Sequence, residues 1–232
     1  MLLAFRKGEA LRHLGHLDLQ RAMQRALRRS GLPVRYSQGF NPHMLTAFAS
    51  ALSVGVSSDA EIVEVALADT PLAVEAEACL ARMNAVLPEA LRATRAVLVE
   101  DSHPALMGLL KQAGYTASLP GVDAALLAAA AQAFLAEDEV MALRVSKRKE
   151  ALVNIRPMVH ELTVAAQEGG ARLDMRLSLE ETATLKPGLL LSTLWERAGL
   201  ATESFEAMPA PRLRRTGLFG VRNGCAVPLI DF

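Results

Sequence analysis

The chain has 232 residues, 51% hydrophobic and 22% charged, enough for one large domain or two of about 100 residues each, and this balance excludes global disorder. Its two cysteines, Cys79 and Cys225, are too few and too far apart for a disulfide framework, and they point to a reducing compartment. No apolar run approaches the roughly 18 residues of a membrane span, and the N-terminus reads as a strand, not a signal peptide, so the expected location is cytoplasmic with no membrane partner.

Twenty-five Lys and Arg balance twenty-five Asp and Glu, but the charges are segregated. Residues 1–36 carry eight basic against two acidic side chains, whereas 37–140 carry four against thirteen. Residues 141–157 and 208–232 are again basic, with an acidic stretch between them. Basic blocks that converge in space steer polyanions despite a neutral total; scattered, they are only solvated faces.

In chain order, Met1 to Lys7 reads as a strand. His16 to Ser30 reads as a helix with Leu19, Met23, Ala26, Leu27 and Ser30 on one side, stopped by Gly31 and Pro33. Val34 to Ser37 and Leu45 to Ser53 read as extended, Ile62 to Leu67 alternates as a strand, Pro71 opens a helix to about Val86, and Leu91 to Val99 returns as a strand. This is one β-α-β-β-α-β unit. The second half repeats the theme. A strand lies within Ala105 to Leu119, a helix over Asp123 to Ala136 starts with Asp123 as N-cap, and a strand follows over Val140 to Ser146. Leu152 to Ile155 and Leu162 to Gln167 are extended, Gly169-Gly170 turns the chain into Ala171 to Leu179, Pro187 to Arg197 is a helix capped by Gly199, and Glu203 to Met208 is a strand. The expected class is α+β, two tandem ferredoxin-like (βαββαβ) sandwiches with antiparallel sheets. The first domain spans 1–102, and the second spans 103–232 with a Pro- and Arg-containing extended tail around Arg212, Arg214 and Arg215.

Several segments carry a family resemblance: Lys7-Gly8, His16-Leu17-Asp18-Leu19, Arg25 to Arg29, Gly31-Leu32-Pro33, Tyr36-Ser37-Gln38-Gly39-Phe40-Asn41-Pro42-His43, Gly55-Val56, Glu61, Lys147-Arg148-Lys149 and Ile155-Arg156-Pro157. In order and spacing they resemble the radical-SAM-linked protein family, a domain of unknown function found alone or fused behind a cobalamin-binding radical SAM protein. The chain departs from that pattern at Gly15, where Ser is usual, at Met44-Leu45, and at Asn154, where Asp is usual. The resemblance implies a radical SAM partner, including cobalamin-binding forms, and a link to RNA or ribosome-related processes. A radical SAM cluster needs three closely spaced cysteine thiolates, so the iron-sulfur cluster and S-adenosylmethionine are expected only in the partner.

Candidate chemistry gathers in residues 16–43. His16, Asp18 and His43 together would suffice for general acid-base work or a divalent metal. The same residues also fit a structural role, with Asp18 facing the helix dipole and His16 bonding the adjacent loop. Arg21, Arg25 and Arg28 share one helical face, with Arg29 beside them, in a register that suits successive phosphates. In the loop, Asn41 and His43 offer base-edge or ribose contacts and either Tyr36 or Phe40 offers a ring for stacking on a base, with inward packing as a loop anchor the stronger expectation for Phe40. Lys147, Arg148, Lys149 and Arg156 form a second basic group. The expected function is an accessory RNA-binding or substrate-presenting module without activity of its own, with no DNA expected. The alternatives are an RNA-processing nuclease using His16 and His43, and a protein scaffold.

Overall fold

The computed structural model describes residues 1–68, 75–146, 149–200 and 211–232. The protein is a mixed α+β chain in which the strand pairs with assigned register are antiparallel. It divides into two compact units, Met1–Leu110 with Gly217–Phe232, and Lys111–Thr216. The division at 102/103 read from the sequence left all of the C-terminal residues with the second half. Among the described residues no helix is long and apolar enough to cross a membrane.

In the first unit, β1 (Leu2–Lys7) lies between β4 (Ala93–Val97) and β3 (Val56–Val65), and β2 (Thr46–Phe48) adds to β3. Helix α1 (His16–Ser30) and helix α2 (Ala76–Asn84) supply the other half of its core. The α1 residues Leu19, Met23, Ala26 and Leu27 recur at helical spacing, and their buried side chains cluster with Leu3, Phe5, Val63, Cys79 and Met83. Each such leucine contributes about 1.5–3 kcal/mol by leaving water. The α1 helix ends because Gly31 takes the left-handed conformation, φ 66°, and because the Ser30 hydroxyl donates to Leu27 O and accepts from Leu32 N. Its start has no side-chain cap, since Gly15 has none to offer.

Lys7 closes the base of this unit. Its side chain is 1% exposed, and Nζ donates to the carbonyls of Arg12 at 2.9 Å, Leu14 at 3.0 Å and Val56 at 3.2 Å. An ammonium carries three donors, and here they fasten the Gly8–Gly15 connection to the start of β3, which sets where α1 begins.

The second unit holds β5 (Gln112–Pro120), β9 (Gly170–Ser178) and β8 (Val159–Gln167) side by side, with helix α4 (Ala124–Ala136) against β8 and helix α5 (Pro187–Arg197) against α4. Asp123 caps α4 as expected, its carboxylate accepting from Ala125 N and Leu126 N. A separate hairpin pairs β6 (Met141–Ser146) with β7 (Lys149–Asn154). Gly170 faces Pro120 in β5, and a Cβ there would lie 2.2 Å from Leu119 O, so only hydrogen fits.

Several elements differ from the sequence reading. A short helix, α3 (Leu106–Leu109), precedes β5, and the expected Pro- and Arg-containing tail is instead a long strand, β10 (Arg212–Arg222). It turns through Asn223-Gly224, both at positive φ, into β11 (Cys225–Pro228). Pairing overrides Pro211 because it precedes the strand and removes no ladder hydrogen bond. The expected helix start at Pro71 and the strand over Glu203 to Met208 lie outside the described residues.

Candidate nucleic-acid interface

The loop from Ser37 to His43 is closed at its mouth. Tyr36 bridges Met44, Leu45 N donates to Arg35 O, and Ser37 N donates to His43 O at 2.9 Å. The Ser37 hydroxyl accepts from His43 N at 3.1 Å and lies 2.8 Å from His43 Nδ1. This contact engages Nδ1 and leaves Nε2 as the ring's remaining polar atom. Gly39 sits at φ 124°, where side chains are strained, and lets the chain reverse over a short span.

Gln38 to His43 are all exposed, and the Phe40 ring is outside entirely, at 111% of its reference exposure. The inward anchor expected for Phe40 is therefore corrected. Polar bonds close the loop mouth, and Met44, 4% exposed, fills the core below it, so no ring is needed there. Tyr36 is 39% exposed at the same mouth. The segment that leads in is tied down by Arg35, which forks onto the Asp101 carboxylate at 2.8 and 3.3 Å and lowers that carboxyl's pKa by hydrogen bonding and charge.

The arginines of α1 divide by what they touch. Arg21 pairs with Asp18 at 3.1 Å in an exposed contact, and Arg29 reaches across to donate to Val86 O beyond α2. Arg25 and Arg28 are exposed and have no hydrogen-bond or ion-pair partner among the described residues. These two cations are the ones available to a phosphate. Gly31–Arg35 carries the chain from the end of α1 to the loop mouth, so both features belong to one stretch.

His16, Asp18 and His43 each have a different neighbour. The His16 ring sits edge-on to Phe48 with centroids 5.4 Å apart, and its Nδ1 is buried without a protein partner. Asp18 belongs to Arg21 and His43 to Ser37. Among the described residues no three His, Cys, Asp or Glu side chains are grouped to hold a metal ion.

In the second basic group, Lys147 and Arg148 lie outside the described residues, as does the Lys149 side chain. Arg156 is half-buried and engaged internally. It donates to Val159 O at 3.3 Å and Leu135 O at 3.1 Å and lies over the Phe134 ring. Asn154 Oδ1 accepts from Val140 N and Arg156 N, a task that an amide oxygen performs as well as a carboxylate. Of the other histidines, His160 contacts Ser178 Oγ at 2.9 Å; partial burial and then the Arg176 charge lower its pKa, against Glu180 and Glu161.

A family model described as an uncharacterized protein conserved in bacteria, DUF2344, matches residues 1–187. The chain belongs to the DUF2344 family. The DUF2344 match takes in α1, the Phe40 loop and the β6–β7 hairpin, and it ends where α5 begins. It carries no link to radical SAM chemistry, and no curated protein matches the chain. Sequence reasoning overlooked Lys7 as an organising residue. Its signal was the alternation at the end of the strand Leu2 to Lys7, where Arg6 faces out and Lys7 falls on the buried face.

Proposed function

We propose that this DUF2344 protein is an accessory RNA-contacting module that presents substrate to a radical SAM partner and performs no chemistry itself. The observation that carries the reading is the Phe40 ring, held wholly outside on a loop pinned by Ser37 and His43. An exposed aromatic costs hydration unless a partner covers it, and a pinned loop loses little entropy when one does. Arg25 and Arg28 add cationic groups not engaged by the fold. The iron-sulfur cluster and S-adenosylmethionine belong to the partner in this reading, because two separated cysteines cannot ligate such a cluster.

The nuclease alternative draws less support, since His16 and His43 contact different residues, Phe48 and Ser37. For the fold, the tandem ferredoxin-like proposal is supported by the antiparallel neighbours β4-β1-β3-β2 with α1 and α2 as crossovers, and by β5-β9-β8 with α4 and α5 following β5 and β9.

The test is binding of the purified chain to a mixed cellular RNA pool at two salt concentrations, beside an Arg25→Glu/Arg28→Glu variant. The expected result is affinity that falls with salt, with a log-log slope smaller in the variant by about 0.7 per lost phosphate contact. Absence of binding at low salt overturns the RNA reading and favours a protein scaffold.

A further inference from the structure

The loop has a composition that narrows what it can receive. From Ser37 to His43 it contains no Lys or Arg, two carboxamides in Gln38 and Asn41, one imidazole and one fully exposed phenyl ring. Carboxamides and imidazole match the donor and acceptor edges of nucleobases, and a free phenyl face matches their π-surfaces. Resting on the RNA reading above, we infer that Phe40 stacks on an unpaired nucleobase, so that the substrate class is single-stranded or looped RNA and not duplex.

The argument against a duplex is energetic. A side chain that wedges between paired bases must unstack them, at a cost of a few kcal/mol per step, and proteins that do this offset it with cations gripping the backbone on either side. This loop has no such cations of its own, and the nearest arginine in sequence, Arg35, is committed to Asp101. A base that is already unstacked presents its face without that cost, so stacking there needs no flanking cations from the loop, and Arg25 and Arg28 on α1 add charge that attracts either form of RNA. The closure by Ser37 and His43 also matters, because a ring on a floppy loop would forfeit much of the stacking energy on being ordered.

The experiment uses the full chain and a fluorescently labelled mixed-sequence RNA of about 12 nucleotides, a length within the range one such surface covers. Anisotropy is measured for the single strand and for the same strand annealed to its complement, with wild type, Phe40→Ala and Phe40→Trp. The expected result is tighter binding of the single strand, about ten-fold or greater loss in Phe40→Ala, and retention in Phe40→Trp. Equal affinity for single strand and duplex, or an unchanged affinity in Phe40→Ala, overturns the stacking inference while leaving RNA binding in place. Binding of neither RNA at low salt sinks the RNA reading itself, and the two failures are thereby told apart.

Discussion

The Ser37 hydroxyl bridges the backbone and the ring of His43, accepting from the amide at 3.1 Å and meeting Nδ1 at 2.8 Å. One side chain thus closes a loop whose five intervening residues, Gln38 to Pro42, are all exposed. Ser37→Ala should leave global stability within about 0.5 kcal/mol, as surface changes do, while raising amide exchange at His43 and weakening RNA binding. Exchange at His43 unchanged from wild type would show that the backbone alone holds the loop.

Lys7 is the opposite case, a polar group whose loss should be felt everywhere in the first unit. Lys7→Met removes three charge-assisted bonds and leaves the carbonyls of Arg12, Leu14 and Val56 without that donor. A cost of about 3 kcal/mol follows. Urea unfolding monitored by circular dichroism measures it; a loss under 1 kcal/mol would mean that water replaces the ammonium.

Helix α1 was fully legible in the sequence because three signals agree: the apolar spacing from Leu19 to Ser30, Gly31, and Pro33. Helix α5 was equally clear from Pro187 and Gly199. Strand β3 was harder. It begins at Val56, not near Ile62, and its buried Ser57, Ser58 and Glu61 break the apolar alternation that marks a half-buried strand. Strand β10 was hidden by Arg212, Arg214 and Arg215 beside two prolines, although Asn223-Gly224 was a visible hairpin signal. Within the candidate site, residue types were readable but commitments were not. Nothing in the spacing separates Arg29, which holds Val86 O, from Arg28, which is exposed and has no hydrogen-bond or ion-pair partner among the described residues. Phe40 was misread because burial statistics describe rings on average, and this ring has no core to enter.

Gly15 offers a gain in stability. Its φ of −71° and ψ of 161° suit any residue, and a Cβ would meet only Asp18 Oδ2, at 3.8 Å. Gly15→Ser supplies the missing cap for α1 and restrains the unfolded chain, for an increase of about 0.5–1 kcal/mol. Thermal unfolding checks this, and an unchanged or lower midpoint would show that the added hydroxyl finds no amide at the helix start.

His160 gives the second unit a pH dependence of known sign. Its folded pKa is lowered from 6.5 by burial and by Arg176, with Glu180 and Glu161 opposing. The unfolded chain therefore takes up the proton first, and stability declines as pH falls from about 6.5 toward the folded value. His160→Gln keeps a polar group for Ser178 but does not titrate, so its stability should vary less with pH across that window. Parallel curves for the two proteins would exclude the effect.

The hydrogen atom of Gly170 is the whole of the clearance between the β8–β9 turn and the end of β5. With Gly121 N also bonded to Gly169 O at 2.8 Å, the two corners are welded. The tightness is confined to that one position: a side chain on Gly170 would collide with Leu119 O, whereas a Cβ on Gly169 or Gly121 at the same corner, or on Gly224 in the turn of the first unit, meets nothing within 4 Å, so a reporter group has to avoid Gly170 and not the corner as a whole.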